Sequence, residues 1–92
     1  MTTFTPKTEP LARSVRCAQG RLEVDLSDGR SISVPLEWFP RLSAANAEQR
    51  SNWELIGEGE GIHWPDIDED LSVRGLLEGR PAPGAISRIG GA

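Results

Sequence analysis

The sequence predicts an α+β domain in which a small antiparallel β-sheet, a meander of three strands plus a later pair, is joined by two short helices. Three observations carry this expectation. Between Val15 and Val34 apolar residues recur at every second position, the side-chain period of a half-buried strand. Asp28-Gly29 interrupts the alternation with a dipeptide that accepts the positive backbone angles of a tight hairpin. Further along, serines precede stretches rich in alanine or leucine, the pattern of a capped helix.

Met1 to Pro10 holds four threonines and two prolines without periodicity, so residues 1–12 are expected to form a flexible leader to a domain spanning 13–79. Val15 and Cys17 mark the first strand, Leu22, Val24 and Leu26 the second, and Ile32 and Val34 the third. Ala18-Gln19-Gly20-Arg21 and Ser27-Asp28-Gly29-Arg30 supply the turns. Pro35 ends the third strand because it brings no amide hydrogen to a ladder. Leu36-Glu37-Trp38-Phe39-Pro40-Arg41-Leu42 crowds large apolar side chains together and reads as a buried connector. Ser43 is placed to cap a helix running to about Arg50 or Ser51, since Ala44, Ala45, Ala47, Glu48 and Gln49 are mostly strong helix formers. Trp53 and Leu55 then pair with Ile62 and Trp64 around Gly57-Glu58-Gly59-Glu60-Gly61. Ser72 or Asp70 caps a last helix that buries Val73, Leu76 and Leu77 and stops at Gly79 and Pro81. Residues 80–92, rich in glycine, proline and alanine, are expected to be a flexible tail.

At 92 residues the chain supports one hydrophobic core. Its 37% hydrophobic and 26% charged residues are those of a folded globular domain. No apolar run approaches the roughly 18 residues of a membrane span and the start lacks a signal-peptide core, so a cytoplasmic location is expected. Cys17 is the one cysteine and excludes an internal disulfide; its apolar-phase position makes it a small buried hydrophobe. Charge is divided unevenly. Residues 1–50 carry seven Lys or Arg and six acids, whereas residues 51–92 carry three and eight. A negative C-terminal half repels phosphate backbones and favours basic partners.

Gly61-Ile62-His63-Trp64-Pro65-Asp66-Ile67-Asp68-Glu69-Asp70-Leu71 concentrates the chain's histidine, a tryptophan and four acids. Asp66, Asp68 and Asp70 match the opening of a calcium loop, but Leu71 stands where that loop needs glycine and Leu77 where it needs the closing glutamate. The acids are better explained by the N-terminus of the last helix, whose dipole favours carboxylates. His63 lacks a Gly-x-Ser-x-Gly elbow or a second histidine, so nothing completes a hydrolytic set. Gly57, Gly59 and Gly61 alternate with carboxylates, and no Lys or Arg lies between Ser51 and Val73, which argues against a phosphate loop. Trp38, Trp53 and Trp64 belong to the core by default, with an exposed one serving as an interface anchor.

Leu26-Ser27-Asp28-Gly29-Arg30, Val34-Pro35-Leu36, Trp38-Phe39-Pro40-Arg41-Leu42, Gly61-Ile62-His63-Trp64-Pro65 and Asp68-Glu69-Asp70-Leu71-Ser72-Val73 with Leu76-Leu77 form an ordered string over roughly Val15 to Gly79. In this string the chain resembles the small bacterial proteins of domain-of-unknown-function family 2442. The resemblance implies a small α+β fold with an antiparallel sheet and short helices. It brings no accepted enzymatic activity and no catalytic residues. It also implies a gene often placed beside that of another small protein, in an arrangement like a toxin and antitoxin pair.

The expected function is a noncatalytic protein-interaction domain, the antitoxin-like partner of a small basic protein, with Trp38, Trp64, Asp66, Asp68, Glu69 and Asp70 as the partner surface. No catalytic residue, metal ligand or cofactor is assigned. The alternative is a small hydrolase or metal-dependent enzyme centred on His63, Asp66, Asp68 and Asp70. A third, nucleic-acid binding through Arg13, Arg16, Arg21 and Arg30, requires those side chains to share one face. The open edges of so small a sheet favour a homodimer.

Overall fold

A computed structural model describes residues 10–80, so most of the expected leader and tail lies outside the described residues. The fold is α+β, with two three-stranded antiparallel sheets. The first holds β1 (Ala12–Ala18), β2 (Arg21–Leu26) and β3 (Ser31–Pro35), and the second holds β4 (Glu54–Ile56), β5 (Gly61–Trp64) and β6 (Glu69–Ser72). A 3₁₀ turn (Leu36–Trp38) and the helices α1 (Pro40–Ala44) and α2 (Ala47–Ser51) connect them, and α3 (Val73–Glu78) follows β6.

The predicted meander is present, with a bulge the alternation did not reveal. β1 begins at Ala12, and its register against β2 shifts between Ala12 and Ser14, which puts the buried Ala12 and Val15 three positions apart. Ala12 therefore belongs to the fold, not to a leader. Cys17 is half-buried against the core. The β1–β2 turn places Gln19 and Gly20 consecutively in the left-handed region, at φ 54° and 75°, as a two-residue hairpin demands. In the longer β2–β3 turn the Asp28 carboxylate accepts from the Arg30 amide and guanidinium at 3.1 and 2.9 Å.

The single helix expected from Ser43 is two. Pro40 opens α1 with its ring-fixed φ, the chain is extended at Ala45, and Asn46 starts again as the cap of α2. Asn46 and Gln49 form a reciprocal capping box at 2.8 and 3.0 Å. Arg50 reaches back to the Leu42 and Ser43 carbonyls at 3.0 and 2.8 Å, at the end of α1, where the Leu42 carbonyl also accepts from the Ala45 amide at 3.2 Å. In α3 the cap is Ser72, whose hydroxyl accepts from the Gly75 amide at 2.9 Å. Val73 and Leu76 are buried there, but Leu77 is exposed, because a helix this short turns only a narrow stripe inward.

One core draws on both sheets and the connector, with Trp64, Phe39, Leu22, Leu42, Ile62 and Val24 fully enclosed. Three long-range hydrogen bonds fix the second sheet in place: Ala12 N–H to the Gly59 carbonyl at 2.8 Å ties it to the first sheet, the Trp64 indole N–H to the Arg50 carbonyl at 2.9 Å ties it to α2, and Val73 N–H to the Glu60 carbonyl at 2.9 Å ties the start of α3 to the β4–β5 turn. Gly59 has φ +117°, and a Cβ there would stand 2.6 Å from the Ala12 carbonyl oxygen.

Two predictions follow from this packing. Trp64→Phe keeps most of the buried area but orphans the Arg50 carbonyl, so urea unfolding should show a loss of about 1–3 kcal/mol, whereas Trp64→Ala should cost about 3–5 kcal/mol. No measurable loss in Trp64→Phe would mean that the indole hydrogen bond adds nothing. Gly20→Ala, with open space around it, should cost about 1–2 kcal/mol for its left-handed angle. Gly59→Ala should cost clearly more, and a smaller loss than Gly20→Ala would contradict the tight seat on Ala12.

Candidate functional site

The acidic stretch folds as a β-hairpin, not as the entrance to a helix. Pro65 occupies the second position of a turn in which the Ile67 amide donates to the Trp64 carbonyl at 3.3 Å, and Asp68 turns the chain at φ 54°, an angle aspartate tolerates. Glu69 to Ser72 then return as β6, so the second sheet has three strands where a pair was expected, and the acids are not clustered on a helix dipole.

Strand alternation sorts the residues by face. Ile62 and Trp64 point into the core, with Leu71 and Glu69 opposite them in β6; His63 points outward, flanked in register by Glu54 of β4 and Asp70 of β6. His63 Nδ1 lies 2.5 Å from Asp70 Oδ1. This hydrogen bond raises the His63 pKa above its usual value against the opposing effect of desolvation, and the charges of Asp70, Glu54 and Asp68 add to the rise.

Asp66, Asp68 and Asp70 are all exposed but do not converge. Asp66 accepts from the Asn52 amide group at 3.0 Å, while the backbone carbonyl of Asp68 takes the Arg41 guanidinium at 2.6 Å. Among the described residues, no group of three or more His, Cys, Asp or Glu side chains is placed to hold a metal ion. Trp64 and Glu69 do not lie on the surface, since alternation along β5 and β6 turns both inward. Burial pushes the Glu69 carboxyl up, opposed by Arg41, whose Nη1 is 4.0 Å away. Trp38 is half-buried and meets the Phe39 ring edge-on, with centroids 6.4 Å apart. The expected partner surface thus reduces to the three aspartates and the exposed part of Trp38. Sequence reading missed Glu54, which only the register of β4 against β5 brings beside His63.

The first sheet handles charge differently. Arg16 bridges Asp25 and Glu23 at 2.8 and 3.2 Å, Arg21 donates to the Ser33 hydroxyl at 2.7 Å, and Arg30 is held by Asp28. Asp25 also accepts from Ser14 and Ser31, both at 2.8 Å, and its pKa is held far below the usual carboxylate range, chiefly by Arg16. Three of the four arginines proposed for nucleic acid are therefore committed within the sheet. Cys17 lines a shallow recess of about 300 Å³ with Val15, Ala47, Arg50 and Trp53, and burial raises its thiol pKa.

The His63 pair sets a pH dependence. Because the folded pKa lies above the unfolded value of about 6.5, the stabilisation is full below that pH and is lost as pH rises through the folded value. Asp70→Asn should lower the His63 midpoint measured by NMR, and the stability advantage of the parent chain should shrink as pH rises through its own midpoint. An unchanged midpoint would show that the pair is not populated in solution.

The family described as "Protein of unknown function (DUF2442)" matches residues 12–82. The chain is 34% identical to a protein of unknown function from Rhodospirillum rubrum, whose crystal structure superposes with a TM-score of 0.73 over 85% of this chain and 96% of that one. It is 27% identical to an uncharacterised protein from Chromobacterium violaceum, whose solution structure superposes with a TM-score of 0.68 over 86% of this chain and 74% of that one. No curated protein matches. With the Asp-Gly-Arg turn, the Trp-Phe-Pro-Arg-Leu connector and the Trp-Pro-Asp hairpin all inside the matched span, the chain belongs to the DUF2442 family.

Proposed function

We propose that the chain is a noncatalytic protein-interaction domain whose second sheet receives a basic protein, in an antitoxin-like pairing. One observation supports this above the others. From Ser51 to Val73 the sequence holds seven acids and no Lys or Arg, and the fold gathers that whole segment into β4, β5, β6 and their turns. Asp66, Asp68 and Asp70 are exposed along the hairpin, with Glu54, Glu58 and Glu60 exposed at β4 and its turn. Arg41 offsets part of this field from outside the segment. The first sheet, by contrast, pairs its charges internally, so the uncompensated field belongs to one side of the sequence and one sheet.

The same reading places the protein in the cytoplasm and allows two copies to pair through the exposed edge of β4. Among the described residues no helix is long and apolar enough to cross a membrane.

Coexpression with the product of the neighbouring gene tests the proposal. A complex should form, relieve any growth defect caused by that product, and weaken as salt rises. Neutralising Asp66, Asp68 and Asp70 together to Asn should weaken it by about tenfold or more, equal to about 1.4 kcal/mol, while circular dichroism stays unchanged. No complex and no rescue, or an affinity indifferent to both salt and the triple substitution, would sink it.

A further inference from the structure

The outward face of the second sheet carries a feature that charge alone does not explain. Beside the row formed by Glu54, His63 and Asp70 runs a second cross-strand row, Ile56, Gly61 and Ser72. Its central position has no side chain. A Cβ on Gly61 would lie 2.9 Å from the Leu71 carbonyl oxygen and 3.2 Å from Ile56 Cδ1, so the missing side chain lets Ile56 lie down over the glycine and the row is low in the middle. The resulting trough, about 400 Å³, is lined by Ile56, Glu60, Gly61, Asp70, Leu71 and Ser72.

Its chemistry is two-part. Ile56 is 42% exposed, a large apolar side chain on an otherwise polar face. The Ser72 hydroxyl is occupied by the Gly75 amide, which leaves the floor with little polar demand. The rim carries two carboxylates, each fixed in place: Glu60 accepts from the Glu58 amide at 3.0 Å, and Asp70 is held by His63.

We propose that this trough seats an extended segment of a protein partner in which an apolar side chain is flanked by Lys or Arg. The apolar side chain lies on the exposed surface of Ile56 where it covers Gly61, and the cationic groups meet Glu60 and Asp70. The inference rests on the reading of the second sheet as a receiver of basic protein, and it adds an apolar anchor to a field that would otherwise select for charge only. Charge complementarity identifies the occupant: the segment from Ser51 to Val73 contributes seven acids and no Lys or Arg, and on the rim Asp70 has His63 as its cationic neighbour.

The test uses the full isotope-labelled chain and three five-residue peptides: Lys-Leu-Lys-Leu-Lys, Lys-Gly-Lys-Gly-Lys and Glu-Leu-Glu-Leu-Glu. The first should bind at least tenfold tighter than the second, move the amide signals of Ile56, Gly61, Asp70 and Ser72, and lose that margin in Ile56→Ser, a surface change that leaves the core intact. The third should not bind. Equal binding of both lysine peptides, or shifts confined to Asp66 and Asp68, would overturn the trough yet leave the electrostatic reading standing. Binding of the glutamate peptide would overturn the cationic flanks, and no binding by any peptide would overturn trough and acidic receiver together.

Discussion

The fold depends first on where Trp64 puts its indole. The ring is fully buried in a core shared by both sheets, and its N–H is satisfied by the carbonyl of Arg50 at the end of the helical connector. Arg50 in turn bonds through its guanidinium to Leu42 and Ser43, so α1, α2 and β5 are tied through one residue pair. A small core has little spare stability, and a tryptophan supplies its largest single block of buried area only if its polar edge finds an acceptor. That requirement fixes the connector's path. It also fixes the phase of β5, which sends His63 outward and, through the register, sets Glu54 and Asp70 on either side of it.

The parts of the fold that were legible in the sequence are those where one local rule acts without competition. In β2 and β3, Leu22, Val24, Leu26 and Val34 alternate cleanly, and glycines sit at the turns that need positive φ. Where two rules compete, pattern alone misleads. The run from Ser43 to Ser51 has helix-forming composition, but Asn46 makes a better cap than a helical residue and breaks it in two. β6 was hidden because Glu69 occupies a core-facing position, and a carboxylate there disguises a strand alternation that Leu71 continues. The hairpin signal was nonetheless in the chain: proline after Trp64, then an aspartate able to take the left-handed angle four residues on. The trough at Gly61 was not readable in advance, since it exists only when β4, β5 and β6 lie in register.

The two outward faces solve the charge problem in opposite ways. On the first sheet, Asp25 collects Arg16, Ser14 and Ser31, and the surface is a closed network of donors and acceptors. On the second, seven acids lie in a segment without Lys or Arg, and Arg41 reaches in from the connector to the turn at Asp68. Self-repulsion of that kind does nothing for the stability of the free domain. Its physical meaning lies in association, where an unpaired field acts at a distance before any contact forms.

Both sheets are built from strands consecutive in the chain, so every backbone ladder is local, whereas the core that covers their inner faces is common to both. A cut between β3 and β4 would leave each fragment with a complete ladder and an uncovered apolar face. The connector from Leu36 to Ser51 therefore acts as a tether as well as a source of core side chains: it holds two half-finished layers at high effective concentration. Fragment complementation is thus written into the topology, and the two halves of the chain stand to each other as a pair of subunits that share one peptide backbone.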